Sequence, residues 1–280
     1  MLDFRYHALS LVAVFLALGI GILLGTTIGD QLVSEANRDL SSSLRKDVVE
    51  ARQEARNARE ALEDRERFIS ASFDRIAGNR LRGRTVAIAS SGELPGDVER
   101  GVRDAVEAAG GEIGSVAEIV PPPDLAELGE AIPRRFDGLL ENDPRTAALG
   151  RAIGRGLASG GDLSRRLADR FPARFKGDPD GVDAVVYYRD PGADLNADQE
   201  RFEQGLIDGL GSNGDPVVGV ETLDTDPSQI GFYEDRMPAS VDSVDTPGGR
   251  ISLVLALAGA RGSFGLKSTA DAPLPEARGR

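Results

Sequence analysis

Between Ala8 and Ile28 the chain runs twenty-one positions without a charge. As a helix rising about 1.5 Å per residue, that run matches the roughly 30 Å hydrocarbon core of a bilayer. The pattern predicts a short leader over 1–7 and a transmembrane helix over 8–28. A cleaved signal peptide is the competing reading, but its apolar centre spans about 7 to 15 residues between a basic start and a small-residue exit. Here only Arg5 and the α-amino group are cationic, and the stretch from Leu23 to Gly29 has no A-x-A exit. The positive-inside bias, weakened by Asp3, puts the leader in the cytoplasm and everything after Asp30 outside it. Gly21, Gly25 and Gly29 fall four apart on one helix face, where two backbones can approach closely, although glycine is also simply frequent in membrane helices. Phe4, Tyr6 and His7 lie where an interfacial aromatic belt is expected, which makes His7 an anchor rather than a ligand.

The next segment, 29–77, keeps a helical period. Leu44, Val48, Ala51, Ala55, Ala58, Leu62, Arg65 and Ile69 alternate steps of four and three, the spacing of a heptad seam. Opposite charges four apart, Arg56 with Glu60, Arg59 with Glu63 and Glu63 with Arg67, support a solvated helix. A parallel coiled-coil stalk is expected, since it continues the glycine face in one polypeptide. The same narrow, alanine-rich seam would also serve to lie along the domain that follows.

After Gly78 and Gly83 the period changes. Thr85 to Ala89 reads as a strand, Gly92 to Gly96 as a loop, and Val98, Val102, Ala105, Val106 and Ala109 as the apolar face of a helix ending at Gly110-Gly111. Ile113 to Val120 is the next strand, interrupted by three prolines from Pro121, and Leu125 to Arg170 is mostly helical. Val182 to Tyr188 and Pro216 to Val220 read as further strands around a helix over Ala197 to Leu210, and Ile251 to Ala260 is a helix apolar nearly all round. Strands alternating with helices predict an α/β domain over 84–265, a Rossmann-like parallel sheet with helices on both faces, followed by a flexible tail over 266–280.

Composition sharpens this picture at three points. There is no cysteine, so an exported domain must be held by its core and thiolate metal chemistry is excluded. Of the 33 basic side chains only Lys46, Lys176 and Lys267 are lysines, which with abundant Ala, Gly and Asp reflects a GC-rich coding sequence. The net charge of −13 sits in the distal domain: from Thr85 onward there are twenty Lys and Arg against thirty-four Asp and Glu, whereas 30–84 is nearly balanced. Such a field disfavours nucleic acid and anionic lipid heads and attracts cations or basic partners, besides keeping the domain soluble.

Candidate chemistry is sparse. The run from Gly209 to Gly214 matches G-x-G-x-x-G but closes a helix and precedes a strand, the reverse of a nucleotide-binding turn. The loop Ser90 to Gly96 is in the right place for an anion yet lacks a P-loop lysine and carries Glu93. Asp178, Asp180 and Asp183 cluster before a strand, but the twelfth position of a calcium loop counted from Asp178 is Arg189. No histidine is left for a Ser-His-Asp triad and no G-x-S-x-G elbow occurs. No enzyme, no resident cofactor and no metal site are expected.

Two stretches carry a family resemblance. Arg5-Tyr6-His7-Ala8-Leu9-Ser10-Leu11, with Ala13 to Leu18 and Gly19 to Gly25, resembles the start of the actinobacterial MctB family, known as mycobacterial copper transport protein B. Ser243-Val244-Asp245 and Gly249-Arg250-Ile251, with Leu253 to Leu257, resemble that family's V-D...G-R-[IV] segment and the apolar helix after it. The resemblance covers nearly the whole chain and implies copper handling at the cell envelope, or envelope growth and division beside a membrane-attached partner. Copper(I) wants Cys or Met and copper(II) wants His, whereas this chain offers only Met1, Met237 and His7, far apart. Two functions therefore stand: an oligomeric, non-catalytic envelope scaffold whose acidic head docks a partner, and a component of copper transport or homeostasis.

Overall fold

A computed structural model describes residues 4–119, 128, 132, 136, 139, 143–178 and 180–276, with side chains described from Tyr6 to Gly25 and again from residue 43. The expected strand end at Val120 and most of the stretch from Leu125 to Asn142 lie outside the described residues.

Helix α1 runs unbroken from Phe4 to Ile76. By its contacts the chain divides into two compact units, Met1–Arg65 and Glu66–Arg280. In the first unit Tyr6–Gly25 is apolar, long enough to cross a membrane and wholly uncovered.

The second unit is built on a seven-stranded sheet. In chain order its elements are β1 (Thr85–Ser91), α2 (Gly96–Ala108), β2 (Glu112–Ile119), α3 (Thr146–Ser159), α4 (Asp162–Arg170), β3 (Phe175–Gly177), β4 (Ala184–Arg189), α5 (Ala197–Leu210), β5 (Val217–Val220), α6 (Ile230–Glu234), β6 (Ala239–Val241), α7 (Pro247–Leu257) and β7 (Gly262–Phe264). The strand order is β3-β2-β1-β4-β5-β6-β7, parallel throughout except for β3, which runs antiparallel to β2.

Local chemistry sets the helix ends. Asn196 caps α5 by accepting the amides of Asp198 and Gln199, while the Gln199 side chain returns to the Asn196 amide, a reciprocal capping box. Thr246 accepts the Gly249 amide at the start of α7, where Pro247 needs no donor of its own. At the end of α2, Gly110 takes φ of +80° and the Gly111 amide reaches back to the Val106 carbonyl at 3.0 Å, a left-handed stop that only glycine makes cheaply.

Alternation along the strands divides the core in two. Val86 and Ile88 of β1 with Ala184 and Val186 of β4 face α2 and α7, whereas Ala87, Ala89, Val185 and Tyr187 face α3, α4, α5 and α6. The helix pair α3 and α5 is unusually close. A Cβ at Gly150 or Gly154 would stand 2.1 Å from the carbonyl oxygens of Phe202 or Leu206, and Gly205 and Gly209 meet the backbone of Ala147 and Arg151 in return. The G-x-G-x-x-G match is thereby resolved: Gly209 packs inside α5, Gly211 caps it, and Gly214 with φ of +83° turns the chain into β5.

Three expectations differ from the structure. The sheet carries the short strands β3, β6 and β7, each of three residues, too brief to leave a period in the sequence. The head begins earlier than 84: Ala77 and Leu81 are fully buried, and Ile69, Phe73 and Ile76 pack against the α2–α7 core cluster. The expected flexible tail from 266 is hydrogen-bonded to the domain, since Leu266 and Lys267 donate their amides to Asp242, and Ala272 bridges to Phe264.

Leu81 fixes this boundary energetically, because its amide binds the Ala109 carbonyl at 3.1 Å and its side chain closes the base of α2. A fragment starting at Glu66 is expected to melt cooperatively, and one starting at Gly83 to lose about 3 kcal/mol or more for the buried Leu and Ala it forfeits. Equal urea midpoints for the two fragments would contradict the assignment.

Candidate functional site

In a doubly wound sheet, ligands bind beyond the carboxyl ends of the strands, where the strand order reverses. Here the reversal falls between β1 and β4, and the described residues close it. The Asp190 amide binds the Ser91 carbonyl at 2.8 Å, the Gly92 amide binds the Ile119 carbonyl at 2.8 Å, and the Ser90 hydroxyl donates to the Gly92 carbonyl at 2.8 Å. Gly92 holds φ of +110°, and a Cβ there would stand 2.4 Å from the Asp190 Cβ. The place beside the loop is thus filled by an aspartate. The first turn of α2 adds Asp97 and Glu99 behind Glu93, so a phosphate would meet carboxylates instead of free amides.

Farther along the same edge the structure gathers buried polar groups that the sequence reading did not single out. Arg189, at the end of β4, donates from Nε to both oxygens of Glu203, at 3.2 and 3.1 Å, and from a terminal nitrogen to Gln229 at 2.6 Å, and it lies 4.5 Å from the centre of the Phe232 ring. The Tyr187 hydroxyl donates to Glu203 at 2.9 Å, and Tyr233 accepts the Arg189 amide while donating to the Val220 carbonyl, both at 3.0 Å. Burial pushes both phenols well above the ordinary tyrosine range, with the Glu203 charge adding to the effect at Tyr187. Tyr188, buried on the other face of β4, is pushed up to about 12, first by desolvation and then by Asp190. Tyr187 and Tyr233 therefore stay protonated and serve as donors, not as bases.

The second assembly centres on Glu221, which is fully buried after β5. Its Oε1 accepts the Lys267 ammonium at 2.7 Å and the Ser228 hydroxyl at 2.8 Å, and its Oε2 accepts the Gln229 amide. Lys267 also donates to the Thr225 carbonyl at 2.7 Å, and the buried Asp242 accepts the amides of Leu266 and Lys267 at 2.8 and 2.9 Å. Glu221 and Lys267 are therefore pins that hold the segment after β7. One signal for them existed in the sequence: Lys267 is one of only three lysines among 33 basic residues.

The residues singled out from the sequence fare differently. Asp178, Asp180 and Asp183 do not converge on a point: Asp183 accepts the Thr85 amide at 2.8 Å, and Asp178 accepts the Asp180 amide at 3.1 Å. Among the described residues no group of three or more His, Cys, Asp or Glu could hold a metal ion. Met237 is buried in the core, and His7 lies exposed on α1. A Cβ added at Gly21 or Gly25 would meet open space, and Gly29 falls in the same helix. Leu44, Val48 and Leu62 are about half exposed, and Ala51, Ala55 and Ala58 are exposed as well. Ile69 departs from that seam to pack on the head.

Removing one partner of a buried ion pair strands the other charge. Lys267→Ala is thus expected to cost about 3 kcal/mol and to free the segment after β7, whereas the double change Glu221→Gln with Lys267→Met recovers most of the loss. Urea unfolding with amide exchange of residues 266–273 checks both, and an unchanged midpoint in Lys267→Ala refutes the pinning role.

No curated protein matches this sequence significantly. A family model described as copper transport outer membrane protein, MctB, matches residues 1–160 and 175–275, and the chain belongs to the MctB family.

Proposed function

We propose that the protein is a membrane-anchored envelope scaffold that self-associates through its long helix and presents an acidic head to a membrane-attached partner, without catalysis of its own. One observation carries the reading: among the described residues most exposed large apolar side chains lie on α1, over Tyr6–Gly25 and again at Leu44, Val48, Val49 and Leu62. The first stretch matches a bilayer, and the second matches a partner helix. The membrane span is assigned to this helix and not to the strands. The described sheet is open, mostly parallel and apolar on both faces, whereas a membrane barrel needs closed antiparallel strands of about ten residues with one lipid-facing side. In this reading the leader is cytoplasmic and the head extracytoplasmic.

The family description favours a second reading, a part in copper transport. Its weakness in the described head is the donor set: Met237 is the only soft ligand there, and it is buried.

Glycines and seam lie in one helix, so each contact makes the other effectively intramolecular. Crosslinking in membranes is expected to trap dimers of the wild type, and Gly25→Leu together with Leu62→Asp to reduce them by about tenfold or more. A monomeric wild type removes the scaffold reading. For copper, the head is expected to bind no Cu(I) and to hold Cu(II) no more tightly than about 10⁻⁴ M, the range of weak oxygen sites. Titration against a competing chelator checks this, and a stoichiometric micromolar site lost on mutating Met237 or Asp178, Asp180 and Asp183 restores the transport reading.

A further inference from the structure

A cleft of about 320 Å³ opens between the end of α6 and the segment after β7, lined by Glu234, Met237, Ser240, Ser263 and Asp271 with Pro238, Ala239 and Gly262. Its floor is β6. Ala239 and Val241 point into the α2–α7 cluster, so Ser240 between them faces the opposite layer, where Met237 and Tyr233 lie. Ser240 is 1% exposed, and its hydroxyl has no hydrogen-bond partner. Its in-register neighbours are Gly219, covered by the Tyr233 ring, and Ser263. A buried hydroxyl left unpaired is costly, and a donor brought to the floor would offset that cost.

We infer that this cleft takes the ammonium group of a lysine side chain from a partner protein, an inference that rests on reading the acidic head as a docking module. The rim carries two carboxylates, Glu234 and Asp271, and no basic residue lines the cleft. An ammonium offers three donors and no acceptor, which matches one hydroxyl oxygen and two carboxylates. Met237 and Pro238 supply an apolar wall for the methylene stem, so the long side chain buries its body while its charge meets the acids. An anion would be repelled, and a calcium-like ion needs six to eight oxygens in place of a thioether wall. The surplus acid of the head draws basic surfaces toward this face from a distance.

The chain itself supplies the reporter, because Met237 is one of only two methionines. In full-length protein labelled at the methionine methyl and held in detergent, n-butylammonium and the peptide acetyl-Gly-Lys-Gly-amide are expected to shift the Met237 signal saturably. Butanol and the norleucine peptide should leave it in place. Glu234→Gln, at an exposed position, is expected to weaken binding about three- to fivefold, with a similar loss in Ser240→Ala. Sodium chloride should weaken it further. No shift with the amine, an equal response to butanol, unchanged binding in both variants, or binding of the free amine without the lysine peptide would each overturn the assignment. Should Ser240→Ala fail to fold, Glu234→Gln and the norleucine peptide still decide. The titration contains no partner, so a failed crosslinking experiment leaves its result standing, and a failed titration leaves self-association untouched.

Discussion

The head is organised by one constraint: the central strands β1 and β4 are buried on both faces, so each face needs its own apolar cover. Val86, Ile88, Ala184 and Val186 demand one set of helices, and Ala87, Ala89, Val185 and Tyr187 demand another. On the first face, α2 and α7 do not suffice alone. The last turns of α1 complete that cover through Ile69, Phe73 and Ile76, and Ala77 and Leu81 of the turn that follows add to it, which is why a helix that begins as bare apolar surface ends as part of a domain core. On the second face, α3 and α5 press together along four glycines, and such close backbone contact leaves no room for side chains there.

That double cover decides where chemistry has room. A fold of this order usually keeps an open crevice at its strand reversal, yet here Asp190 leans on Gly92 and carboxylates surround the first turn of α2. The polar groups gathered along the rest of the carboxyl edge are spent on one another. Glu203 holds Arg189 and Tyr187, and Glu221 holds Lys267 and the loop before α6. Satisfied in this way, a buried network fixes a conformation but offers little to a substrate. It ties the chain after β7 to β5 and β6.

What was legible in the sequence follows from which signals are local. The apolar N-terminal helix, the helix over 197–210 and the first β-α-β unit all declare themselves in runs longer than one turn or one strand, and the structure has a helix, a helix and a β-α-β unit there. The motif around Asp245 and Gly249 proved to mark packing: Asp245 accepts the Leu223 amide at 2.9 Å, and a Cβ at Gly249 would stand 1.8 Å from the Ser243 carbonyl oxygen. What stayed hidden depends on distance along the chain. Three-residue strands carry no period, and a lysine at 267 gives no hint that its partner is a glutamate at 221 until the sheet sets them side by side. The heptad seam was legible as a pattern but ambiguous in its use, and its last member, Ile69, lies along the head while Leu44 to Leu62 stay exposed.

On the proposed reading, the family's description as a copper transport protein and the chain's own donors meet through contact with a partner. A soft ion needs thiolate or thioether ligands that meet at a point, and the described head has a single thioether, packed into an apolar cluster. What this chain does offer is an uncharged helical stretch with bare apolar surface and a domain with fourteen more acidic than basic side chains from Thr85 onward. In that reading both serve a protein that acts by position: one fixes it at a membrane, the other attracts oppositely charged surfaces over roughly a Debye length, about 8 Å at physiological salt. On the proposed reading a link to copper runs through whatever that surface recruits, because electrostatic recruitment needs only a charged surface, whereas ligation would demand an open site with converging donors.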